Sequence, residues 1–253
     1  MGRPGPARRR LRTRQLADRS NLELARTFDT VVCTTARAAE EFLHLDGPRP
    51  VLVPLGVDVD RFRYRLDRGD AAAERGARVR LVMVNRLSRE KEPELAVATV
   101  FRAARPRRGS PARRRRRRPA TAPAAAACAG LPVRWLGFVL DRDRLAALMA
   151  ETDVALAPGP VETFGLAALE SLACGTPAVV NIRSALPGVV GPHAGRAATG
   201  TGAGFADAVQ DLLDVPEVAR RLSARARATE FPWDATVRAF LDVHQRALSG
   251  TVG

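Results

Sequence analysis

The chain has 253 residues, of which 46% are hydrophobic, so it can bury the core of one large domain or of two small ones. Its net charge of +14 arises in two segments, because residues 1–14 hold six arginines, residues 102–129 hold ten, and neither holds an acidic residue. Without these sixteen arginines, 25 basic residues stand against 27 acidic ones, which argues against a globular part that binds a specific nucleic acid.

The cysteines and the apolar runs place limits on the compartment. Cys33, Cys128 and Cys174 are far apart and form no CxxC pair, so we expect neither a metal site nor a disulfide framework, and a reducing cytosol fits. The basic N-terminus lacks the apolar core of a signal peptide, and no run reaches transmembrane length. We therefore expect a cytoplasmic protein, with any membrane association peripheral.

Strands and helices are predicted to alternate along the chain. Apolar runs predict strands at 28–34, from 51 onward, 79–84, 133–138, 153–158 and 178–181. Helical patterns follow at 35–44, up to 101, at 141–152, from 166 to 173, and at 205–213, 216–228 and 231–248. Thr34 or Thr35 is a plausible N-cap for the first of them. This alternation predicts an α/β fold with a doubly wound, Rossmann-like parallel sheet.

Residues 102–129 interrupt the pattern where a further strand is expected. The segment contains no Val, Ile, Leu, Met or Phe, and it holds four prolines and six successive arginines at 113–118. Three interpretations stand: a disordered insertion, a basic patch for nucleic acid or acidic lipid, or an out-of-frame translation of GC-rich coding sequence. The last is favoured, since Arg, Pro, Ala and Gly are what GC-rich codons give in a wrong frame. No aromatic residue is interleaved with the arginines, so base stacking is not supported.

The stretch ETFGLAALE places two glutamates, Glu162 and Glu170, around a short apolar helix. The loop before it follows a predicted strand, at the sheet edge where open α/β folds bind ligands. Phe164, Gly165 and Leu166 open the helix, whose free N–H groups suit a diphosphate. Glu162 can then accept hydrogen bonds from sugar hydroxyls, and Glu170 from a ribose diol. On spacing alone, two solvated glutamates beside an ordinary helix are the favoured interpretation.

The stretch NRLSREK, residues 85–91, follows another predicted strand at the same edge. It presents Arg86 and Lys91, and Lys91 is the only lysine of the chain. Two cations there would neutralise a diphosphate. A solvated polar loop is the alternative.

These motifs together resemble one known family. Residues 51–248 resemble the C-terminal half of retaining GT-B glycosyltransferases of family 4, the glycosyl transferases group 1. The resemblance rests on VPLGVDVDRF, NRLSREK, VRWLGFV, the glutamate-x7-glutamate signature ETFGLAALE, CGTPAVV, and the terminal FPWDATVRAFLDVHQRAL, which resembles the helix that crosses back to the first domain. The finer likeness is to actinobacterial GDP-mannose-dependent mannosyltransferases that act on phosphatidylinositol mannosides.

The resemblance implies a role for each site residue. Arg86 and Lys91 bind the donor diphosphate and stabilise the leaving group, and Glu162 contacts the transferred hexose. The backbone of Phe164, Gly165 and Leu166 holds sugar and phosphate, Glu170 binds the ribose, and Gly137 and Phe138 line the base. The donor is GDP-mannose, the acceptor a phosphoinositide or another lipid at the inner face of the plasma membrane, and neither a metal nor another cofactor is implied.

The resemblance also implies a division of the chain. Residues 1–50 are expected to be a remnant of the N-terminal domain, because only FDTVVCTTARAAEEF resembles that domain. A linker at 51–77, a nucleotide-sugar domain at 78–230 and a crossing helix at 231–253 follow.

The sequence departs from the family at Asn85, Glu92 and Gly188, and the first domain is largely missing. We therefore expect weak sugar transfer or none. The alternative is a non-catalytic, degraded glycosyltransferase fragment that binds anions or nucleic acid non-specifically through its arginine run. The histidines are scattered, so a structural or solvent role is expected for His44, His193 and His244, while Trp135 and Trp233 are expected to be core or interface anchors.

Overall fold

The computed structural model describes residues 6–45, 47–64, 79–103 and 132–249. The chain divides into two compact units, Met1–Gly56 with Phe231–Gly253, and Val57–Glu230. The hypotheses about residues 102–129 lie outside the described residues, apart from the first two positions, and so does Cys128.

The elements follow one another in alternating order. They are α1 (Pro6–Thr27), β1 (Val32–Cys33), α2 (Ala36–Leu43), β2 (Val51–Leu52), β3 (Leu81–Val82), a 3-10 helix (Arg89–Lys91), α3 (Pro93–Ala103), α4 (Arg142–Ala150), β4 (Val154–Ala157), α5 (Leu166–Ala173), β5 (Ala178–Asn181), α6 (Leu186–Ala194), β6 (Gly195–Ala198), α7 (Gly202–Leu213), α8 (Glu217–Thr229) and α9 (Trp233–Leu248).

The first unit combines a short parallel strand pair with three helices. In the pair, Val32 of β1 lies opposite Val51 of β2. The helix α2 begins after Thr35, whose hydroxyl oxygen accepts a 3.2 Å hydrogen bond from the N–H of Ala38, which confirms the predicted N-cap. In α9 the hydroxyl of Thr236 donates to the carbonyl of Pro54 at 2.8 Å.

The second unit is built on a four-stranded sheet in the order β3-β4-β5-β6, and every neighbouring pair is parallel. All residues of β4 and β5 are buried, as expected for central strands of a parallel sheet. Val154 and Leu156 pack with Phe205 and Val209 of α7 in one core cluster. The parallel α/β fold that the sequence predicted is confirmed.

Helices cover both faces of this sheet. The cluster on one face includes Ala96 of α3 and the buried side of α7. Side chains alternate along a strand, so Ala155 and Ala157 point to the opposite face, where α5 packs against β4 and β5. Such two-sided cover explains why the strands read as continuous apolar runs.

Several local predictions were wrong or incomplete. The strand predicted at 133–138 is not formed: the segment pairs with no described strand, and Trp135, Leu136 and Phe138 are exposed. A strand needs a partner ladder, and an apolar run alone does not supply one. The strand predicted at 79–84 is shortened to β3, which pairs only with β4 among the described strands. The helices α1 and α6 and the strand β6 were not predicted.

Within the described part of the chain, no helix combines the length and apolar character that crossing a membrane requires.

Candidate active site

The loop between β4 and α5, residues 158–165, lies at the carboxyl end of the sheet and is held at two points. The side-chain amide of Asn181, the last residue of β5, donates to the carbonyl of Pro158 at 2.7 Å. Further along the loop, the carbonyl of Glu162 accepts from the N–H of Ala185 at 3.0 Å. The loop backbone is therefore fixed before any ligand arrives.

Lys91 and Glu162 form an ion pair at this edge. The Lys91 ammonium donates to Glu162 Oε2 at 2.7 Å, and the side chains are only 11% and 17% exposed. Gly159 lets the backbone of Glu90 and Lys91 lie close to the loop. A Cβ at this position would lie 2.8 Å from the carbonyl oxygen of Glu90 and 3.1 Å from the Cα of Lys91. The structure thus brings together two residues that the sequence placed 71 positions apart.

Gly165 sets the start of α5. Its φ of 79° lies in the left-handed region, and a Cβ there would overlap the side chain of Leu186 and lie 3.3 Å from Glu162 Cγ. Phe164 is buried, whereas Leu166 is half-exposed. The first helical hydrogen bonds are donated to the Gly165 carbonyl by the N–H groups of residues 168 and 169. The N–H groups at the start of the first turn come before these bonds and have no acceptor within the helix.

Glu170 is nearly buried in α5, one turn beyond that N-terminus. Its Oε1 accepts a 2.7 Å hydrogen bond from Nη2 of Arg142, and its side chain is 10% exposed against 53% for the arginine. Burial raises the pKa of Glu170, and the charge and hydrogen bond of Arg142 oppose that rise. The helix ends at Ala173 with Cys174 as its C-cap, and Gly175 follows with φ of 73°, a conformation typical of glycine after a helix.

Arg86 lies apart from the buried pair. Its side chain is 82% exposed, and its Nη2 lies 3.2 Å from Oε1 of Glu90, the residue before Lys91. An arginine so exposed can reorient towards a ligand, at the cost of the rotamer freedom that it then loses.

Gly137 and Phe138 belong to the segment that precedes α4. Gly137 has a φ of 67° and open space around its Cα, and Phe138 is 88% exposed. Their predicted role at a base remains a prediction, and so do the roles of the other site residues.

Sequence reasoning missed three residues of the site: Arg142, Asn181 and Gly159. Arg142 stands among four alternating charges, DRDR, which look like a solvated helix start. Asn181 stands at the end of an apolar run that predicts a buried strand. A buried polar side chain needs a hydrogen-bond partner, and this was the one signal in the sequence for its role.

The histidines and tryptophans, for which no role in the site was predicted, have the following surroundings. His44 lies 3.1 Å from Asp18, while His193 and His244 are exposed. Trp135 and Trp233 are 40% and 50% exposed, so neither is a fully buried anchor. Across the described residues no group of three or more His, Cys, Asp or Glu side chains could hold a metal ion.

A buried cation and a carboxylate, Lys91 and Glu162, lie by the loop that leads into the N-terminus of α5, and a second carboxylate, Glu170, lies one turn into the helix. The cation and the N-terminal N–H groups suit a phosphate, and the carboxylates suit hydroxyl groups. These groups together suit the binding of a phosphorylated molecule that carries several hydroxyl groups.

Comparisons with known proteins agree with this chemistry. Residues 122–229 match the family described as Glycosyl transferases group 1. A "GDP-mannose-dependent alpha-(1-6)-phosphatidylinositol dimannoside mannosyltransferase" of Mycobacterium tuberculosis (strain ATCC 25177 / H37Ra) is 41% identical over 231 residues. The match covers 90% of this chain and 60% of the relative, so the chain spans less than two thirds of the relative's length.

Solved structures share the fold. Sucrose-phosphate synthase from Thermosynechococcus elongatus superposes with a TM-score of 0.72 at 23% identity, over 92% of this chain and 62% of the other. Anabaena HepE, solved in complex with UDP and glucose, superposes with a TM-score of 0.69 at 17% identity, over 90% of this chain and 66% of the other. At these identities the likeness shows the fold, and it confirms the GT-B architecture that the sequence motifs implied.

Proposed function

Since the chain contains a domain of the glycosyl transferases group 1 family, with the GT-B fold, we propose that it transfers mannose from GDP-mannose to a lipid-linked or glycan acceptor, with retention of the anomeric configuration. The observation that carries the proposal is the buried pair of Lys91 and Glu162 beside the N-terminus of α5. The choice of GDP-mannose follows the name of the mycobacterial relative.

Each residue has a separate task in this proposal. The ammonium of Lys91 leaves the carboxylate of Glu162 and pairs with the donor diphosphate. The partial positive charge of the first-turn N–H groups of α5 also attracts the diphosphate. Glu162, released from Lys91, accepts hydrogen bonds from hydroxyls of the hexose. Glu170 accepts from the ribose.

The transfer step then needs mainly electrostatic help. The bond between the anomeric carbon and the phosphate oxygen breaks, and its electron pair leaves with the diphosphate. The acceptor oxygen bonds to the same face of the carbon, and its proton passes to the departing diphosphate. Lys91 and Arg86 stabilise the charge that develops on the leaving group, which is the type of contribution that preorganised charges make best.

Calorimetric titration with GDP, with UDP as comparison, tests the donor half of the proposal. We expect saturable GDP binding that is lost in Glu170→Ala and kept in Glu40→Ala, which removes an exposed carboxylate of α2. Binding of inorganic tripolyphosphate as tight as that of GDP would instead favour non-specific anion binding.

Turnover is a separate measurement. Radiolabelled GDP-mannose and a phosphatidylinositol mannoside acceptor are incubated with the chain, and the anomeric configuration of the product is read by NMR. An inverted product would contradict the proposal, and so would transfer from UDP-glucose, tested as a second donor, without transfer from GDP-mannose.

A further inference from the structure

Arg142 contacts Glu170, yet neither the motifs nor the proposed function assigns a role to this arginine. Its Nη2 lies 2.7 Å from Glu170 Oε1, across 28 residues of sequence. The carboxylate is nearly buried and the guanidinium half-exposed, so the arginine reaches in from the surface.

The guanidinium is held in place by its surroundings. Asp141 caps α4 by accepting from the N–H groups of residues 143 and 144, which fixes the backbone of Arg142. The guanidinium carbon lies 5.0 Å from the ring centre of Phe62, and that ring is 1% exposed. The carbonyl of Phe62 in turn accepts from Arg225 at 2.8 Å.

Stability of α4 itself does not explain this arginine. Arg142 is the first residue of the helix, where the dipole disfavours a cation. Its favourable contacts are therefore the tertiary ones, with the ring of Phe62 and the carboxylate of Glu170.

We propose that Arg142 is a positioning residue for Glu170: it holds one carboxylate oxygen and keeps the group ionised, so that the other oxygen can accept a hydroxyl of the donor ribose. This inference rests on the proposed function, because it deepens the role of Glu170 there. Among the described residues, Arg142 is the one side-chain hydrogen-bond partner of this carboxylate.

Other charged groups around α5 are engaged elsewhere. Asp143 on α4 pairs with Arg61 at 3.2 Å, and Arg225 on α8 donates to backbone carbonyls, including that of Ala173. His193 lies on α6 and is exposed. The strands β4 and β5 carry no ionisable side chain, and Glu162 is paired with Lys91. Arg142 is accordingly the group whose charge and hydrogen bond lower the pKa of Glu170 against the effect of burial.

The first test needs no nucleotide. The carboxyl carbon of Glu170 is titrated by NMR in the full chain, in Arg142→Met, in Arg142→Lys and in the control Arg80→Met, which removes a half-exposed arginine paired with Glu151. We expect the pKa of Glu170 to rise in Arg142→Met, to change less in Arg142→Lys and to stay unchanged in the control. An unchanged pKa in Arg142→Met would overturn the inference.

The second test reads the ribose contact. The ratio of the Kd of 2′,3′-dideoxy-GDP to that of GDP is expected to be about tenfold or more in the unaltered chain, the effect of one hydrogen bond to a charged group. In Arg142→Met the ratio should fall towards one at the lower end of the pH range and recover as the pH rises and Glu170 ionises again. Arg142→Lys should retain most of the ratio throughout that range.

One outcome of the second test overturns the inference by itself, and another overturns the ribose contact together with the proposed function. Tighter GDP binding by Arg142→Met would show that the arginine competes with the ribose. Failure of the unaltered chain to bind either nucleotide would refute the proposed function and the ribose contact with it, while the NMR titration still decides whether Arg142 holds Glu170 ionised.

Discussion

The ammonium of Lys91 lies 2.7 Å from Oε2 of Glu162, and both side chains are largely removed from solvent. Each charge is compensated mainly by the other, because burial weakens its solvation. Loss of either partner would leave the other charge buried and uncompensated, and the two side chains must separate if Lys91 is to bind a phosphate. Stability and ligand binding are linked at this one contact.

Replacing one partner of the pair should destabilise the fold more than replacing both. In Lys91→Met, Glu162 is left as an uncompensated buried carboxylate, and we expect a loss of about 3 kcal/mol in the free energy of unfolding. The double variant Lys91→Met/Glu162→Gln should regain most of that loss. Urea unfolding of the single and double variants measures the coupling. A double variant as unstable as Lys91→Met would contradict the assignment of a mutually compensating pair.

Arg86 should matter for a ligand and hardly at all for stability. Its contact with Glu90 is exposed, and exposed pairs contribute little. We expect Arg86→Met to unfold at the same urea concentration as the unaltered chain and to bind GDP about fivefold more weakly, since an exposed charge near a phosphate contributes about 1 kcal/mol. The loss should shrink as salt is added.

The matched control for Arg86 is Arg89→Met, which removes an equally charged, exposed side chain from the neighbouring 3-10 helix. Equal losses in the two variants would mean that net charge, and not the position of Arg86, sets the affinity.

Two glycines should respond in opposite ways to alanine. Gly165 has a positive φ and its Cβ would overlap Leu186, so Gly165→Ala is expected to lower the free energy of unfolding by about 2–4 kcal/mol. Gly188 lies in α6 with open space around it, and its carbonyl still accepts from Arg227 after substitution. Gly188→Ala should therefore raise stability by about 0.5–1 kcal/mol. Thermal unfolding of both variants checks the contrast, and equal destabilisation would show that α6 does not tolerate a side chain at 188.

The centre of the second unit could be predicted because the tertiary structure there requires residue types that form a recognisable local pattern. The strands β4 and β5 are buried on both faces, so any sequence there must be continuously apolar, and the pattern is visible without a structure. Gly165 and Gly175 mark the ends of α5 for an equally local reason, the positive φ at each position.

The parts that could not be predicted depend on partners remote in sequence. The run at 133–138 is as apolar as a strand, yet strand formation needs a neighbour, and no described strand lies beside it. Arg142 reads as one of several surface charges, and only the fold brings it to Glu170. The helix α1 is dominated by arginines and polar residues, so it lacks the apolar stripe by which amphipathic helices are found.

Arg225 is expected to fix the start of the second unit against α5. Its guanidinium donates to the carbonyls of Val59, Phe62 and Ala173 at 2.7–3.1 Å. Arg225→Met leaves these carbonyls without that donor, and we expect a loss of about 2–3 kcal/mol in the free energy of unfolding. Arg225→Lys should recover little, because an ammonium cannot reproduce the planar fork. The control Arg238→Met removes an exposed pair with Asp234 and should cost about 0.5 kcal/mol or less. Equal losses in the two methionine variants would refute this role.

Glu170 should make the stability of the chain depend on pH in a defined direction. Burial raises the pKa of Glu170 in the folded state above its value of about 4.3 in an unfolded chain. The folded state therefore holds the proton more tightly, so this contribution to stability is complete below the unfolded pKa and is lost as the pH rises through the folded pKa. Glu170→Gln cannot ionise, and we expect it to gain stability over the unaltered chain between pH 4.5 and pH 7. Urea unfolding across that range measures the difference, with the exposed Glu40→Gln as control. A difference that shrinks with rising pH would mean that Arg142 stabilises the carboxylate by more than burial destabilises it.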